Sequence, residues 1–161
     1  MSFNISCLLF AKDADSRILM LQRLKSPNKG FWSPPGGKLE MALGESPYEC
    51  AKRESCEELG LELHDDDLHI FGYVSEKNYE GGGHWLMFLF EIIPSLHALP
   101  EAINEGCFKF FSRPQIDSLR IPQTDHELVW PFYDKRDQGF WGIRANFDTQ
   151  STKIKIEAKP I

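Results

Sequence analysis

Residues 46–60, SPYECAKRESCEELG, constrain this chain more than any other stretch, because they specify a helix and crowd one side of it with charge. Ser46 suits the N-cap, Pro47 the first helical position, Glu49 the capping-box position and Gly60 the stop. At about 100° per residue, with Glu54 set at zero, Glu58 falls near 40° and Glu57 near 300°, so three carboxylates share one arc beside Arg53. Tyr48, Ala51, Ser55 and Leu59 fall together between about 60° and 140°, a narrow face of small and apolar groups that can lie on a sheet. Ser55 is the odd member of that face, and its burial requires the hydroxyl to bond back to a carbonyl. Carboxylates three and four residues apart oppose one another by roughly a few tenths of a kcal/mol per pair, and burial increases the cost. Two arrangements relieve it. One is a fully solvated acidic face, common in an acidic protein. The other is a hard divalent cation such as Mg²⁺, which takes a few carboxylates together with waters and substrate phosphates.

The flanking sequence supplies strands and loops. ISCLLFAK and RILMLQR are short apolar runs on either side of the turn-former cluster DADS, which predicts a first hairpin. SPNKGFWSPPGG reads as irregular loop, since its prolines remove backbone donors and its glycines permit tight turns. LHIFGYVSEKNY and HWLMFLFEII read as strands around EGGG, and CFKFFS as a third. Short helices are predicted at RPQIDSL and TDHELVWPFYDKR, and a closing hairpin over GFWGIRANFDTQSTKIKIEAKP, turning at DTQST. Strands and helices mix without a regular βαβ rhythm, so the expected class is α/β with a mixed β-sheet sandwiched between α-helices rather than a doubly wound sheet. A chain of 161 residues is expected to form one domain, 1–161, with a single sizeable core.

Composition narrows the function classes. A formal net charge of −6 disfavours broad attraction to nucleic acid, which wants a basic face. The N-terminus has no basic leader, and no window approaches the eighteen apolar residues of a membrane span, so the expectation is a cytoplasmic protein without membrane contact. Cys7, Cys50, Cys56 and Cys107 form no C-x-x-C pair, which points to free thiols rather than a zinc site or disulfide framework.

The spacing around the helix carries a family resemblance. Glu45 is followed, after seven residues, by Arg53-Glu54-Ser55-Cys56-Glu57-Glu58-Leu59-Gly60-Leu61. This resembles the Nudix box, G-x5-E-x7-R-E-U-x-E-E-x-G-U with U apolar. There are two departures. Ser55 stands at the first U, and Gly37 precedes Glu45 by eight positions where the family pattern has six. The two added residues fall within Met41-Ala42-Leu43 and are expected to bulge outward without shifting the helix. The resemblance is to MutT-like Nudix hydrolases and implies the Nudix fold, an α/β/α sandwich. It also implies an enzyme that cleaves a nucleoside diphosphate linked to another group by attack of water at phosphorus, using Mg²⁺ or Mn²⁺. On it, Glu57 and Glu58 match the principal metal ligands, and Glu54 a residue that binds metal or activates water. The backbone carbonyl of Gly36 matches a further ligand. Arg53 and Glu45 match the pair that orients the catalytic carboxylates. Glu105, in NEGCFKFF, is the candidate for the family's carboxylate outside the box, a plain loop glutamate being the competing reading. Arg23 and Lys38 are candidate phosphate contacts, against the alternative of ordinary surface cations.

Substrate choice has to be read from the flanks. KGFWSPPGGK and ELVWPFYDKRDQGFWGIRANFD loosely resemble segments of oxidised-purine triphosphatases that act on 8-oxo-dGTP. Asp125 is then the candidate for meeting a base edge, with Phe31, Trp32 or Trp130 stacking on the base; core packing is the competing reading for Trp32 and Trp130. Ser33 stands where the mammalian-type enzymes place a base-reading asparagine. The expected activity is Mg²⁺-dependent conversion of a small nucleoside triphosphate to monophosphate and pyrophosphate, with oxidised purines as candidate substrates. The alternatives are hydrolysis of nucleoside diphosphate conjugates (ADP-ribose, nucleotide sugars, dinucleoside polyphosphates) or of RNA 5′ ends, and a Nudix-fold binding module without catalysis. Such modules usually lose box carboxylates, which this chain keeps. Either a monomer or a homodimer is compatible with the sequence.

Overall fold

The computed structural model describes residues 3–26, 28–79, 83–148 and 150–161. The expected turn at EGGG therefore lies outside the described residues except for Gly83, as does residue 149 of the expected DTQST turn.

Among the described residues, nine strands form two sheets. In order along the chain they are β1 (Phe3–Phe10), β2 (Ile18–Arg23), β3 (Trp32–Ser33), β4 (Gly36–Lys38), β5 (Leu68–Lys77), β6 (His84–Ile92), β7 (Gly106–Phe111), β8 (Trp141–Asn146) and β9 (Lys153–Ala158). The larger sheet runs β4-β1-β6-β5-β8-β9, and the smaller β3-β2-β7. β1 is parallel to β6, and β5 to β8; the other pairings are antiparallel, so the larger sheet is mixed as expected. Two expectations need correction. The DADS turn forms, with Asp13 accepting from the backbone N–H of Asp15 and Arg17, but β1 and β2 then part into different sheets instead of pairing as a hairpin. The segment expected to be irregular, SPNKGFWSPPGG, contributes β3 and β4, because short extended pieces on either side of Pro34-Pro35 find edge positions, where a proline's missing donor costs nothing.

The helices are α1 (Pro47–Leu59), α2 (Arg113–Ile116), α3 (Asp125–Leu128) and α4 (Trp130–Asp134). β1 alternates its side chains between two cores. Cys7 and Leu9 join Cys50, Ala51 and Leu59 of α1 on one side. Phe10 packs on the other with Ile116, Leu128, Trp130, Phe132 and Tyr133 of α2, α3 and α4. The sheet layer is thus sandwiched between α1 and the three short helices, with a largely aliphatic core that includes Phe90 and Phe108 beneath α1 and a more aromatic one beneath α3 and α4. Among the described residues no helix is long and apolar enough to cross a membrane.

α1 begins and ends where the sequence placed it. Ser46 accepts from the Glu49 backbone N–H, the Glu49 carboxylate accepts in return from the Ser46 N–H, and Gly60 closes the helix at φ 69°. Ser55 faces the sheet and is fully buried, yet its Oγ has no hydrogen-bond partner, so the expected back-bond to a carbonyl does not form. The position selects for small volume against the sheet, and the unpaired hydroxyl is carried at a cost of about 1–3 kcal/mol.

Candidate active site

Charge and close approach build one pole of the molecule. β4 runs beside β1 and lies against α1, and the contact is possible because neither Gly36 nor Gly37 carries a Cβ. A Cβ on Gly36 would stand 2.0 Å from the Cys7 carbonyl oxygen, and one on Gly37 2.1 Å from Glu54 Oε1. Arg53 then ties loop to helix. Its Nε and one terminal nitrogen grip both oxygens of Glu45 at 2.7 and 2.9 Å, and that same terminal nitrogen donates to the Lys38 carbonyl at 3.0 Å. The other terminal nitrogen reaches Glu54 at 2.9 Å and Glu57 at 3.2 Å. The Arg53 bond holds Glu45 below the usual carboxylate range. Met41–Leu43, containing the two added residues, forms a single exposed 3₁₀ turn closed by Gly44 at φ 64°, and Glu45 accepts from the Glu40 N–H at its base. The extra length points outward, leaving the Glu45–Arg53 pair intact.

In front of that brace lies a cavity of about 690 Å³, lined by Gly36, Gly37, Lys38, Glu54, Glu57, Glu58 and the Ile103–Glu105 segment. Burial raises the Glu54 carboxyl against the pull of Arg53. Burial first, and then the charges of Glu54 and Glu105, push Glu58 up to about 8. Glu58 shares a side-chain hydrogen bond with Glu54 and accepts from the Gly36 backbone N–H, while its buried Oε2 has no hydrogen-bond partner. Among the described residues no three or more His, Cys, Asp or Glu side chains are grouped so that they alone could hold a metal ion. The carboxylates make an open arc. An orphaned buried oxygen among like-charged, all-oxygen donors is a donor set suited to Mg²⁺, which keeps waters and substrate oxygens in its shell.

A second cavity, of about 330 Å³, shares Gly36, Gly37, Lys38, Glu58 and Glu105 with the first and extends between the sheet and α3. Arg23 and Asp125 line it. Burial pushes the Asp125 carboxyl up to about 7. A third chamber, of about 630 Å³ and lined by Phe31, Tyr79 and Phe147, adjoins the second along Asn28, Pro122 and Thr124.

The sequence-derived candidates separate cleanly. Gly36, Lys38, Glu54, Glu57, Glu58 and Glu105 line one cavity, with Glu45 and Arg53 behind it and Arg23 and Asp125 next door. The two tryptophans are corrected. Trp130 is 1% exposed inside the aromatic core, edge-on to Phe10, and has no face to offer a base. Trp32, half-buried, packs edge-on against Phe111 at 4.9 Å on the aromatic core and lines none of the three cavities. Sequence reasoning also missed Glu76, Trp85 and Met87, which line the second cavity. Strand periodicity held a signal for Glu76: it stands two residues after the buried Val74 on β5, so its side chain faces inward.

Comparison with known proteins identifies the family and the fold. The family model of the NUDIX domain matches residues 3–133. The chain is 33% identical over 125 residues to an uncharacterized Nudix hydrolase, YvcI, of Bacillus subtilis, the match covering 77% of this chain and 74% of that protein. In three dimensions it is similar to the MutT protein of Bacillus halodurans, with a TM-score of 0.71 and 23% identity over 94% of this chain and 97% of that one. It is also similar to the NUDIX domain of Shewanella oneidensis NrtR, crystallised with ADP ribose, with a TM-score of 0.64 and 18% identity over 83% and 86% of the two chains.

Proposed function

The chain belongs to the Nudix hydrolase family, and from that premise we propose that it hydrolyses a nucleoside triphosphate to the monophosphate and pyrophosphate with Mg²⁺, oxidised purines being candidate substrates. Glu58 carries this reading. A carboxyl pushed up to about 8 by burial and by Glu54 and Glu105, with a buried oxygen left unpaired, is a cation site in the making.

Glu54, Glu57 and Glu58 would hold the cation, with the Gly36 carbonyl and Glu105 as further donors. When bound, Mg²⁺ neutralises phosphate charge and acidifies a water for attack at phosphorus. Arg53 and Glu45 are positioning residues: the bidentate grip fixes the guanidinium that in turn orients Glu54 and Glu57. Lys38 and Arg23, on the walls of the second cavity, contact phosphate oxygens, and Asp125 meets the base. Phosphoryl transfer asks mainly for such positioning and charge neutralisation.

A second reading, hydrolysis of nucleoside diphosphate conjugates, draws support from the third chamber, whose aromatic walls give room for a second planar or sugar group beyond the base. A panel of triphosphates, ADP-ribose, nucleotide sugars and dinucleoside polyphosphates, with pyrophosphate and phosphate release measured separately, decides between them. Pyrophosphate from triphosphates is the expected result; turnover of conjugates alone sinks the first reading. Glu57→Gln should lower turnover by about a hundredfold or more while far-UV circular dichroism is unchanged. Undiminished activity would remove the metal assignment.

A further inference from the structure

Lys38 lines both the carboxylate cavity and the second cavity, so it stands where the two meet. Glu54, Glu57, Glu58 and Glu105 share the first of them, and a flexible four-carbon stem ordinarily lets an ammonium fold onto such an arc. Lys12, Lys52 and Lys77 each pair with a carboxylate. Lys38, among the described residues, pairs with none; its ammonium lies over the ring of Trp85, 5.4 Å from the centroid. Strand order explains the reach. β4 and β6 flank β1, with Lys38 in register with Ser6, and Trp85 with Asn4, two residues away on the same side of β1. To pass from β4 to β6 the lysine stem has to cross β1, and the residue opposite it there is the small Ser6. The backbone end is fixed as well, because Arg53 donates to the Lys38 carbonyl at 3.0 Å. One lysine is thus held at its root by a guanidinium and at its tip by an indole.

We propose that Trp85 is a positioning residue for Lys38: its ring keeps the ammonium off the carboxylate arc, so that the arc stays open to a cation while the ammonium stays open to phosphate. This rests on the reading of the two cavities as a metal and nucleotide site. The choice of an aromatic partner matters. A carboxylate would neutralise the ammonium and be neutralised by it, removing one charge from the cation's donors and one from the phosphate's. An indole face attracts the ammonium through its quadrupole but carries no net charge, so the full positive charge and the outward N–H donors remain for a phosphate oxygen. Without the ring, the stem is free to fold back among Glu58 and Glu105, where the ammonium would compete with the metal for the same oxygens.

A double-mutant cycle of Trp85→Leu and Lys38→Met tests this, read first as the affinity of nucleotide-free protein for Mn²⁺, followed by electron paramagnetic resonance of the free ion, and then as KM and kcat for a nucleoside triphosphate. Trp85→Leu should weaken Mn²⁺ binding by about two- to fivefold and raise KM by a similar factor, with kcat within about twofold of wild type. Trp85→Phe keeps a ring face and should recover most of both losses. In the Lys38→Met background, Trp85→Leu should change neither quantity by more than about 1.5-fold, since no ammonium is left to misplace. A Trp85 that merely packs the cavity wall would give the same losses in both backgrounds. That result, or no loss on Trp85→Leu in the wild-type background, overturns the proposal. Triphosphate hydrolysis with losses indifferent to Lys38 removes the role of Trp85 alone. A Lys38-dependent loss of Mn²⁺ affinity in a protein that leaves triphosphates intact keeps Trp85 as the positioning residue and removes the triphosphatase reading.

Discussion

Two half-buried glutamates in this protein have opposite surroundings. Glu91, on β6, accepts a hydrogen bond from Arg136 Nε and stands 3.5 Å from Lys12; burial pulls its carboxyl upward, but those cations outweigh it and the net displacement is downward. Glu58, on α1, faces Glu54 and Glu105, and burial and like charge add, pushing it up to about 8. Burial alone therefore does not distinguish a structural carboxylate from a functional one. The sign of the neighbours differs: cations within the chain compensate Glu91, whereas like charges surround Glu58, the residue that the proposed reading makes a cation ligand.

Neutralising each residue gives the largest test of that contrast. Glu58→Gln removes a penalised charge and should stabilise the metal-free protein at pH 8 by about 1–3 kcal/mol while reducing turnover a hundredfold or more. Glu91→Gln should do the reverse, costing about 1–3 kcal/mol by urea titration with Mg²⁺-dependent activity retained. If both variants moved stability in the same direction, the contrast would collapse.

The two sites should also pull stability in opposite directions with pH. Glu58 keeps its proton in the folded chain to about 8, against an ordinary value of 4.5, so the stability it contributes is full below 4.5 and lost as pH rises toward 8. Glu91 is displaced downward, so its contribution is present above 4.5 and lost as pH falls below it. Melting curves of metal-free protein should decline from pH 5 to 8, and Mg²⁺ should flatten that decline by taking the proton's place. A decline equally steep with Mg²⁺ would mean that the cation does not bind at Glu58.

Smaller effects sharpen the comparison along α1 itself. Ser55→Ala removes an unpaired buried hydroxyl from the sheet-facing side and should raise stability by about 1 kcal/mol, with kcat unchanged. A loss of stability would show that the hydroxyl has a partner in solution. Deleting Met41 and Ala42 shortens only the exposed turn and should leave metal-dependent activity within a few-fold of wild type; complete loss in a folded variant would give that turn a role at the site.

Much of the candidate site is legible in the sequence, because it is carried by one helix. Capping and periodicity act over three or four residues, so Ser46, Glu49 and Gly60 fixed the ends of α1 and thereby the arc of Glu54, Glu57 and Glu58. The family resemblance implied that Glu45 and Arg53 act as a pair, and the fold joins them in an ion pair. Contacts made at long range were harder to read. Trp130 and Asp125 lie five residues apart in one aromatic-rich segment, yet one is sealed in the core and the other lines a cavity. Trp32 differs from Phe31 by a single position and by the side of the chain it faces: it packs on Phe111, while Phe31 lines the third chamber.

By itself, then, the sequence determined the capped acidic helix, the register of its carboxylates, the strand-rich mixed architecture and the family, since each depends on residue order over short spans. Tertiary structure alone decided that β1 and β2 part into separate sheets, that Glu105 faces Glu58, and that Glu76 and Asp125 share a cavity. Those juxtapositions follow from strand pairing and from which face of the sheet each helix covers, and no local pattern encodes them.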